Sequence, residues 1–376
     1  MKNHLFLFLS VLLFASCNSK VEIPVFNNSE VDRIDEMVEI CLCELTNFDI
    51  SKLVVLDPNG KQVPYQVLYK GEDTPQALIF PVTLKAGKES VFIVKEGKPE
   101  QFTAKTKVRF VPERKDDMSW ENDRIGFRMY GPALANENPS NGVDVWLKRT
   151  SELVFDKWYK NDISQKASYH QDHGEGLDCY NVGHTLGCGG ICPIVNDSLY
   201  IGRYFDRYKI LDNGPLRSSF LLYYDFVPYG SKNLKAELLV TIDAGSQLNE
   251  AVIRYTGDTT NIQLAAGIFL QDTVQTIAGS ATQGYIAYAE NAVANGTKIS
   301  VGRRYEGVVF DTPVVAVKQL QNHLIGVCNY KVGEPFRYYF GAGWNKFGIQ
   351  KDSDWFGFLS DKRIALSQPL KVKILK

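Results

Sequence analysis

Apolar and polar residues alternate with a period of two along most of this chain. That spacing sends successive side chains to opposite faces of a strand. Val21-Glu22-Ile23-Pro24-Val25 alternates, and residues 37–45 carry Val38, Ile40, Leu42 and Leu45. Pro58-Asn59-Gly60 marks a turn, Asn-Gly being a strong hairpin signal. Runs at 63–69, 77–81 and 90–95 complete a set of short strands spaced as in a small β-sandwich. Glu96-Gly97-Lys98-Pro99-Glu100 reads as the linker that leaves it.

From about Phe102 onwards the pattern stays β. Short alternating runs fall at 107–110, 125–130, 143–147, 219–226, 236–242, 251–255, 284–289, 314–317, 324–330 and 337–340. They predict a large antiparallel β-sandwich, of the kind seen in galactose-mutarotase-type and lyase β-domains. One late helix is expected. Asp352-Ser353-Asp354 supplies caps and an acidic first turn, and Trp355, Phe358, Leu359 and Leu366 follow at roughly helical spacing. Pro369 ends it, and 370–375 alternates as a final strand. The fold class is therefore all-β: a small N-terminal β-sandwich over 20–100, a large one over 101–376, and one late helix.

Composition excludes little but sharpens two points. The 376 residues carry 42 basic and 43 acidic side chains and no long basic run, which argues against a nucleic-acid partner. Aromatics make up 12 % of the chain, a surplus that suits sugar stacking and equally suits filled β cores. Residues 1–17 read as an address. Lys2 opens it, an apolar run at 5–14 is broken only by Ser10, and Phe14-Ala15-Ser16-Cys17 reads as a lipobox. The run is too short to span a membrane. Cys17 is expected to be lipidated and to anchor the protein in the outer membrane, at the cell surface or on the periplasmic side. Cys41 and Cys43, two apart on a strand, would point to one face, which disfavours a bond between them. A hydrolase elbow, a P-loop and a dinucleotide fingerprint are all missing.

The densest chemistry lies at 169–190. Three of the five histidines, His170, His173 and His184, sit there with Asp172, Glu175, Asp178, Tyr180 and six glycines. Imidazoles and carboxylates are the usual proton-transfer groups and metal ligands, and glycines let a backbone approach a ligand. No zinc-protease helix or paired CxxC knuckle is present. The sequence requires no cofactor and leaves the His170–His184 loop open to a divalent metal. Four other runs join charge to aromatics. Trp120-Glu121-Asn122-Asp123-Arg124 offers sugar ligands and a carboxylate clamp, or a salt-bridged strand start. Trp146 and Lys148 share one strand face, with Trp158 close behind. Arg203, Arg207 and Arg217 suit an acidic substrate, and Trp344 sits in a Gly-x-Gly-Trp loop.

Several of these runs carry a resemblance: 120–124, Tyr130-Gly131-Pro132, Val143-Asp144-Val145-Trp146, Asp156-Lys157-Trp158-Tyr159, 170–190 and Gly214-Pro215-Leu216-Arg217. Together they resemble a family of bacterial lipoproteins, domain of unknown function 4861, found in polysaccharide-utilisation gene clusters. The resemblance implies glycan work outside the cytoplasm, often beside enzymes that handle uronic-acid polymers. It transfers no catalytic residue. A uronide invites β-elimination, which needs a base for H5, a proton donor and a cation on the carboxylate. His170 or His184 is the expected base, Tyr180 the donor, and Arg124, Arg203 or Arg217 the clamp. Glu175, Asp178, Trp120 and Trp158 are expected around an acidic oligosaccharide. Two alternatives stand beside this: a glycoside hydrolase with a carboxylate pair among Glu121, Asp123, Glu175 and Asp178, and a non-catalytic glycan-binding lipoprotein.

Overall fold

The computed structural model describes residues 20–137, 141–271 and 275–376. Cys17 and its leader lie outside the described residues. Among the described residues no helix is long and apolar enough to cross a membrane. The all-β, antiparallel expectation holds.

The first sandwich pairs a four-stranded sheet with a three-stranded one. The former runs Lys371–Val372, Lys20–Phe26, Glu89–Glu96, Leu53–Leu56, and the latter Arg33–Cys41, Ala77–Leu84, Gln66–Leu68. Val21, Ile23 and Val25 alternate inwards onto Val38, Ile40, Phe80 and Phe92. The C-terminal strand thus returns to the first sheet, with Val25 opposite Val372. Cys41 and Cys43 are joined, against the sequence expectation. The strand stops at Cys41 and Leu42–Glu44 turns as a 3-10 helix, so strand alternation does not govern the pair.

The large sandwich sets an eight-stranded sheet against a five-stranded one. The eight-stranded order is Arg207–Asn213, Arg217–Tyr229, Lys232–Asp243, Leu248–Thr256, Phe336–Trp344, Ser300–Phe310, Tyr285–Val293, Gln275–Ser280. Cys188–Val195, Asn261–Phe269 and His323–Lys331 form the centre of the other. The helix Asp352–Ser367 lays Trp355 and Leu359 on the outer face of the long sheet, against Tyr285, Tyr305 and Val309.

A further five-stranded sheet positions the candidate site. Its order is Gly176–Asp178, Asp144–Lys148, Ile125–Met129, Asp117–Asn122, Thr106–Val111. The three middle strands are buried along their whole length. Alternation sends Met118, Trp120, Phe127, Val145 and Leu147 into the main core. Asp117, Glu121, Arg128, Asp144, Trp146 and Lys148 take the opposite face. A second helix, Phe155–Ile163, covers that face; the sequence reading expected only the late one. Its Phe155, Trp158 and Tyr159 pack on Trp146 with Tyr169. Gly126 admits it, because a Cβ there would lie 2.3 Å from the Phe155 ring.

Candidate active site

Residues 164–178 follow the covering helix and end in the strand Gly176–Asp178, which pairs with Asp144–Lys148. That register places Asp178 opposite Trp146 and beside Arg128. The Arg128 guanidinium lies within ion-pair distance of three carboxylates: Asp144 at 2.6 Å, Asp178 at 3.1 Å and Asp117 at 3.5 Å. All four side chains are essentially inaccessible. Tyr169 Oη accepts from Arg114 Nε and Arg128 Nη1. Burial pushes Asp117 up to about 6 and Asp178 to about 6, with Arg128 opposing it. Asp144 is pushed up to about 7, by burial first and by the charge of Asp178 second.

His170 stands at the solvent end of this cluster, its side chain 41 % exposed. Nδ1 faces inwards, 3.1 Å from the Asp178 carbonyl and 3.5 Å from Asp178 Oδ2. Asn295 Nδ2 is 3.0 Å from the same ring nitrogen and donates to that carbonyl at 3.3 Å. Two acceptor oxygens favour a proton on Nδ1, with the Asn295 amide turned to the carbonyl. Nε2 is then the outward nitrogen and is free to take a proton.

A second buried group adjoins the first through Cys179 and Tyr180. Glu290 and Arg304 are cross-strand partners, and so are Tyr288 and Glu306. Arg304 binds Glu290 and Glu306, the latter at 2.9 Å, and stacks 4.5 Å above the Tyr180 ring. Burial pushes Glu306 up to about 8 and the Cys179 thiol to about 11. Over this group opens a cleft of about 360 Å³. Glu290 and Arg304 form its floor, and the amides of Asn181, Gln271, Asn291 and Asn295 its walls. Asn295 therefore belongs both to the cleft and to the His170 contact. A shallower groove of about 680 Å³ between Tyr229 and Tyr330 carries no carboxylate or imidazole in its lining.

The residues singled out in the sequence scatter around this centre. His170 and Asp178 meet, but Asp178 is fully buried and holds His170 and Arg128 rather than a ligand. Tyr180 is 3 % exposed and its hydroxyl donates to Glu306 at 3.3 Å, so it does not face solvent as a donor. Glu175 binds Lys157 at 2.5 Å and accepts from Trp158 Nε1 in a small hollow of its own. Trp158 stacks on Trp146 as part of the helix core. Trp120 is wholly buried and donates to Asn249. Glu121 accepts from the backbone of Val154 and Phe155 and pairs with Lys148, which removes it from a catalytic pair. Asp123 accepts from Gly245.

None of the three expected arginines forms the clamp. Arg217 binds Asp243 and Glu39, between the two sandwiches. Arg124 packs over Phe347, and Arg203 is exposed on the segment before the strand Arg207–Asn213. Arg128 and Arg304 occupy the positions near the loop instead. His173 and His184 are exposed, and His173 Nε2 lies 3.0 Å from the Ser168 carbonyl. Among the described residues no three His, Cys, Asp or Glu side chains are placed to hold a metal. Cys179, Cys188, Cys192 and Cys328 are free and buried.

Gly176, Gly187, Gly189 and Gly190 of the loop serve internal packing, since a Cβ on any of them would meet a neighbour at 2.4 Å or less. Gly187 has φ +61°, and a Cβ there would lie 2.2 Å from the Val143 carbonyl oxygen. Gly183 has φ +56° with open space around it. Gly183→Ala is expected to cost about 1–2 kcal/mol, from the left-handed backbone alone. Gly187→Ala should cost clearly more, because the Val143 backbone must also move. Urea unfolding of both variants checks this; equal losses would contradict the packing role.

Uncharacterized protein P7 of Formosa agariphila is 30 % identical to this chain over 396 residues, covering 98 % of each. Among solved structures, a protein in glycosyl hydrolase family 38 from Enterococcus faecalis superposes with a TM-score of 0.50 at 10 % identity, over 95 % of this chain and 47 % of that one. An alpha-mannosidase from Enterococcus faecalis gives 0.48 at 10 % identity, over 95 % and 46 %. The chain thus spans about half the length of these two solved proteins, and the likeness is one of fold. Matched over residues 25–372, the chain belongs to the family described as Domain of unknown function (DUF4861).

Proposed function

We propose that this protein is a carbohydrate-active enzyme that works by β-elimination on uronic-acid-containing oligosaccharides at the Asn181–Asn295 cleft. The observation that carries it is His170, held through Nδ1 by Asp178 at the edge of an amide-walled cleft. A cleft of about 360 Å³ is large enough for a small ligand. Side-chain amides both donate and accept, as sugar hydroxyls do. His170 Nε2 removes H5, the electron pair forms the C4–C5 double bond as the C4–O bond breaks, and the departing oxygen takes its proton from water, because Tyr180 is buried on Glu306. A uronate carboxylate finds its donors in the cleft amides, Arg304 on the floor being already paired with Glu290 and Glu306, and not in Arg124, Arg203 or Arg217. The fold likeness to a glycosyl hydrolase agrees with work on carbohydrate. The expected lipid on Cys17 would keep the enzyme at a membrane, outside the cytoplasm.

One observation favours hydrolysis as a second reading. Glu290 lines the cleft, and Glu306 behind it is held towards its acid form. The two carboxylates share Arg304 rather than flanking open space, which ranks this reading second.

Incubation with a panel of uronic-acid oligosaccharides separates the outcomes. Elimination gives ultraviolet absorbance from the new C4–C5 double bond and product masses without added water. Saturated products that have gained water would replace elimination with hydrolysis, and binding without turnover would leave a glycan-capture protein. Cys17→Ala should abolish lipidation and release the protein from membranes; membrane recovery equal to wild type would refute the anchor.

A further inference from the structure

We propose that His323 is a proton-sensitive latch: its neutral ring pins the turn 182–187, next to the Asn181 wall of the cleft, and a proton on the ring releases that turn. The link to the cleft rests on the Asn181–Asn295 cleft being the active site; the latch itself does not.

His323 is 2 % exposed, at the first position of the strand His323–Lys331. Backbone groups take both of its ring nitrogens. Nδ1 lies 2.7 Å from the Gln321 carbonyl, and the Leu186 N–H donates to Nε2 at 3.0 Å. A carbonyl can only accept and a backbone N–H can only donate. The ring is therefore neutral, with its proton on Nδ1 and its lone pair on Nε2. The tight turn beneath it fixes the Gln321 carbonyl, since Gln321 and Asn322 are both left-handed, with φ +50° and +59°. A second proton would have to go on Nε2, facing the Leu186 N–H with no acceptor between them. Two buried donors would then lack a partner unless Leu186 moved away. His170, His173 and His184 reach solvent, so a donor gained there is met by water.

Leu186 is the pivot. Its carbonyl accepts from Val143 N at 3.1 Å and Gly190 N at 2.9 Å, which holds the chain beyond it. Before it, Thr185 Oγ1 donates to the Val182 carbonyl at 2.5 Å and accepts from Gly187 N at 3.0 Å, closing 182–187 into one turn. Asn181 adjoins that turn, and its carbonyl accepts from Gln271 Nε2 at 3.0 Å, so two walls of the cleft are tied together. Gln271 lies just past Phe269, which pairs with His323 and meets its ring at 5.4 Å. His323 thus stands behind both walls. No charge supports the ring from the elements around it. Lys318 pairs with Asp197, Lys331 pairs with Glu334, His184 is exposed, and burial keeps the Cys188, Cys192 and Cys328 thiols neutral. Burial lowers the His323 pKa, with the Gln321 and Leu320 backbone opposing it.

Amide hydrogen exchange tests the latch without substrate. A released ring takes its proton near 6.5 and the pinned ring only below that. The latch is therefore complete above that pH and weakens as pH falls through it. Protection of the Leu186 N–H in wild type should drop by about tenfold or more from about pH 7 to about pH 5. His323→Gln can still accept from Leu186 through its amide oxygen but does not titrate, so its protection should hold over that range. The buried acids Asp117, Asp144 and Asp178 are present in both proteins and cancel in the comparison. Level protection in wild type, or an equal drop in His323→Gln, would overturn the latch. Should the variant fail to fold, ¹⁵N NMR of the wild-type ring decides: an Nε2–H tautomer at neutral pH would overturn it. For the link to the cleft, turnover of wild type relative to His323→Gln should be lower at about pH 5 than at about pH 7 by about twofold or more, His170 being common to both. A flat ratio would break the link and leave the latch. No turnover in any form would instead remove the elimination reading, and exchange at Leu186 would still decide the latch.

Discussion

Replacing His170 with Ala should lower turnover of a uronic-acid oligosaccharide by about 10²–10⁴ while leaving its binding within a small factor. General base catalysis is worth that much when the base sits beside the proton it removes. His170 meets the structural requirements. Its ring is partly exposed, its inward nitrogen is held by Asp178, and it touches Asn295 on the cleft wall. Asp178→Asn should reproduce part of the loss, because the amide keeps the shape but not the charge that steadies an imidazolium. His184→Ala, at an exposed place on the same loop, serves as the control and should stay close to wild type. Measured kcat and KM for the three variants decide the matter. Loss in KM alone would make His170 a binding group, and an inactive His184→Ala with an active His170→Ala would exchange their roles.

The large-scale fold was legible because period-two alternation is a local property. It survives burial wherever one side of a strand meets the core, as in Val21, Ile23 and Val25. The late helix was legible because Asp354 caps its own first turn by accepting from the Lys351 N–H. The helix Phe155–Ile163 carries no such signal: Val154 precedes it and makes no side-chain cap. Its cap is Glu121, 33 residues earlier in the chain. The charged runs stayed ambiguous for a related reason. The run 120–124 reads equally as ligand-facing or as a salt-bridged strand start, and it is the second that holds for Glu121, because a distant helix buries that face and Lys148 pairs with it. Half of the site was readable at 169–190. The other half required strand register. Tyr288 with Glu290, and Arg304 with Glu306, are i, i+2 pairs on adjoining strands, and only their pairing brings Arg304 onto Glu290. Asn295 lies in the tip between those strands, next to Gly296, where sequence alone offers a turn and nothing more.

Glu121→Ala should be the most damaging single change to stability, at about 3–5 kcal/mol. The Lys148 ammonium is inaccessible and lies 2.6 Å from Glu121 Oε2 and 2.6 Å from the Asn122 carbonyl. Without the carboxylate a buried charge keeps only one neutral acceptor, and removing one member of such a pair is what makes it expensive. The same carboxylate accepts from Val154 N and Phe155 N at 2.8 Å, the place where a helix leaves its first N–H groups unpaired and favours an anion. Losing that cap adds about 0.5–2 kcal/mol. Against the 5–15 kcal/mol of a typical folded domain this is a large share. Lys148→Met should repair part of the damage in the double variant, because the stranded charge goes with it, while the uncapped helix remains. Urea unfolding of both single variants and the double variant measures the coupling. Single-variant losses under about 1 kcal/mol, or losses that simply add, would show that the pair is not the support assigned to it. The consequence reaches the candidate site. The helix holds Trp146 against Tyr169, and Tyr169 adjoins His170. A folded Glu121→Ala protein should therefore turn over substrate more slowly than wild type, though Glu121 touches neither the cleft nor the imidazole.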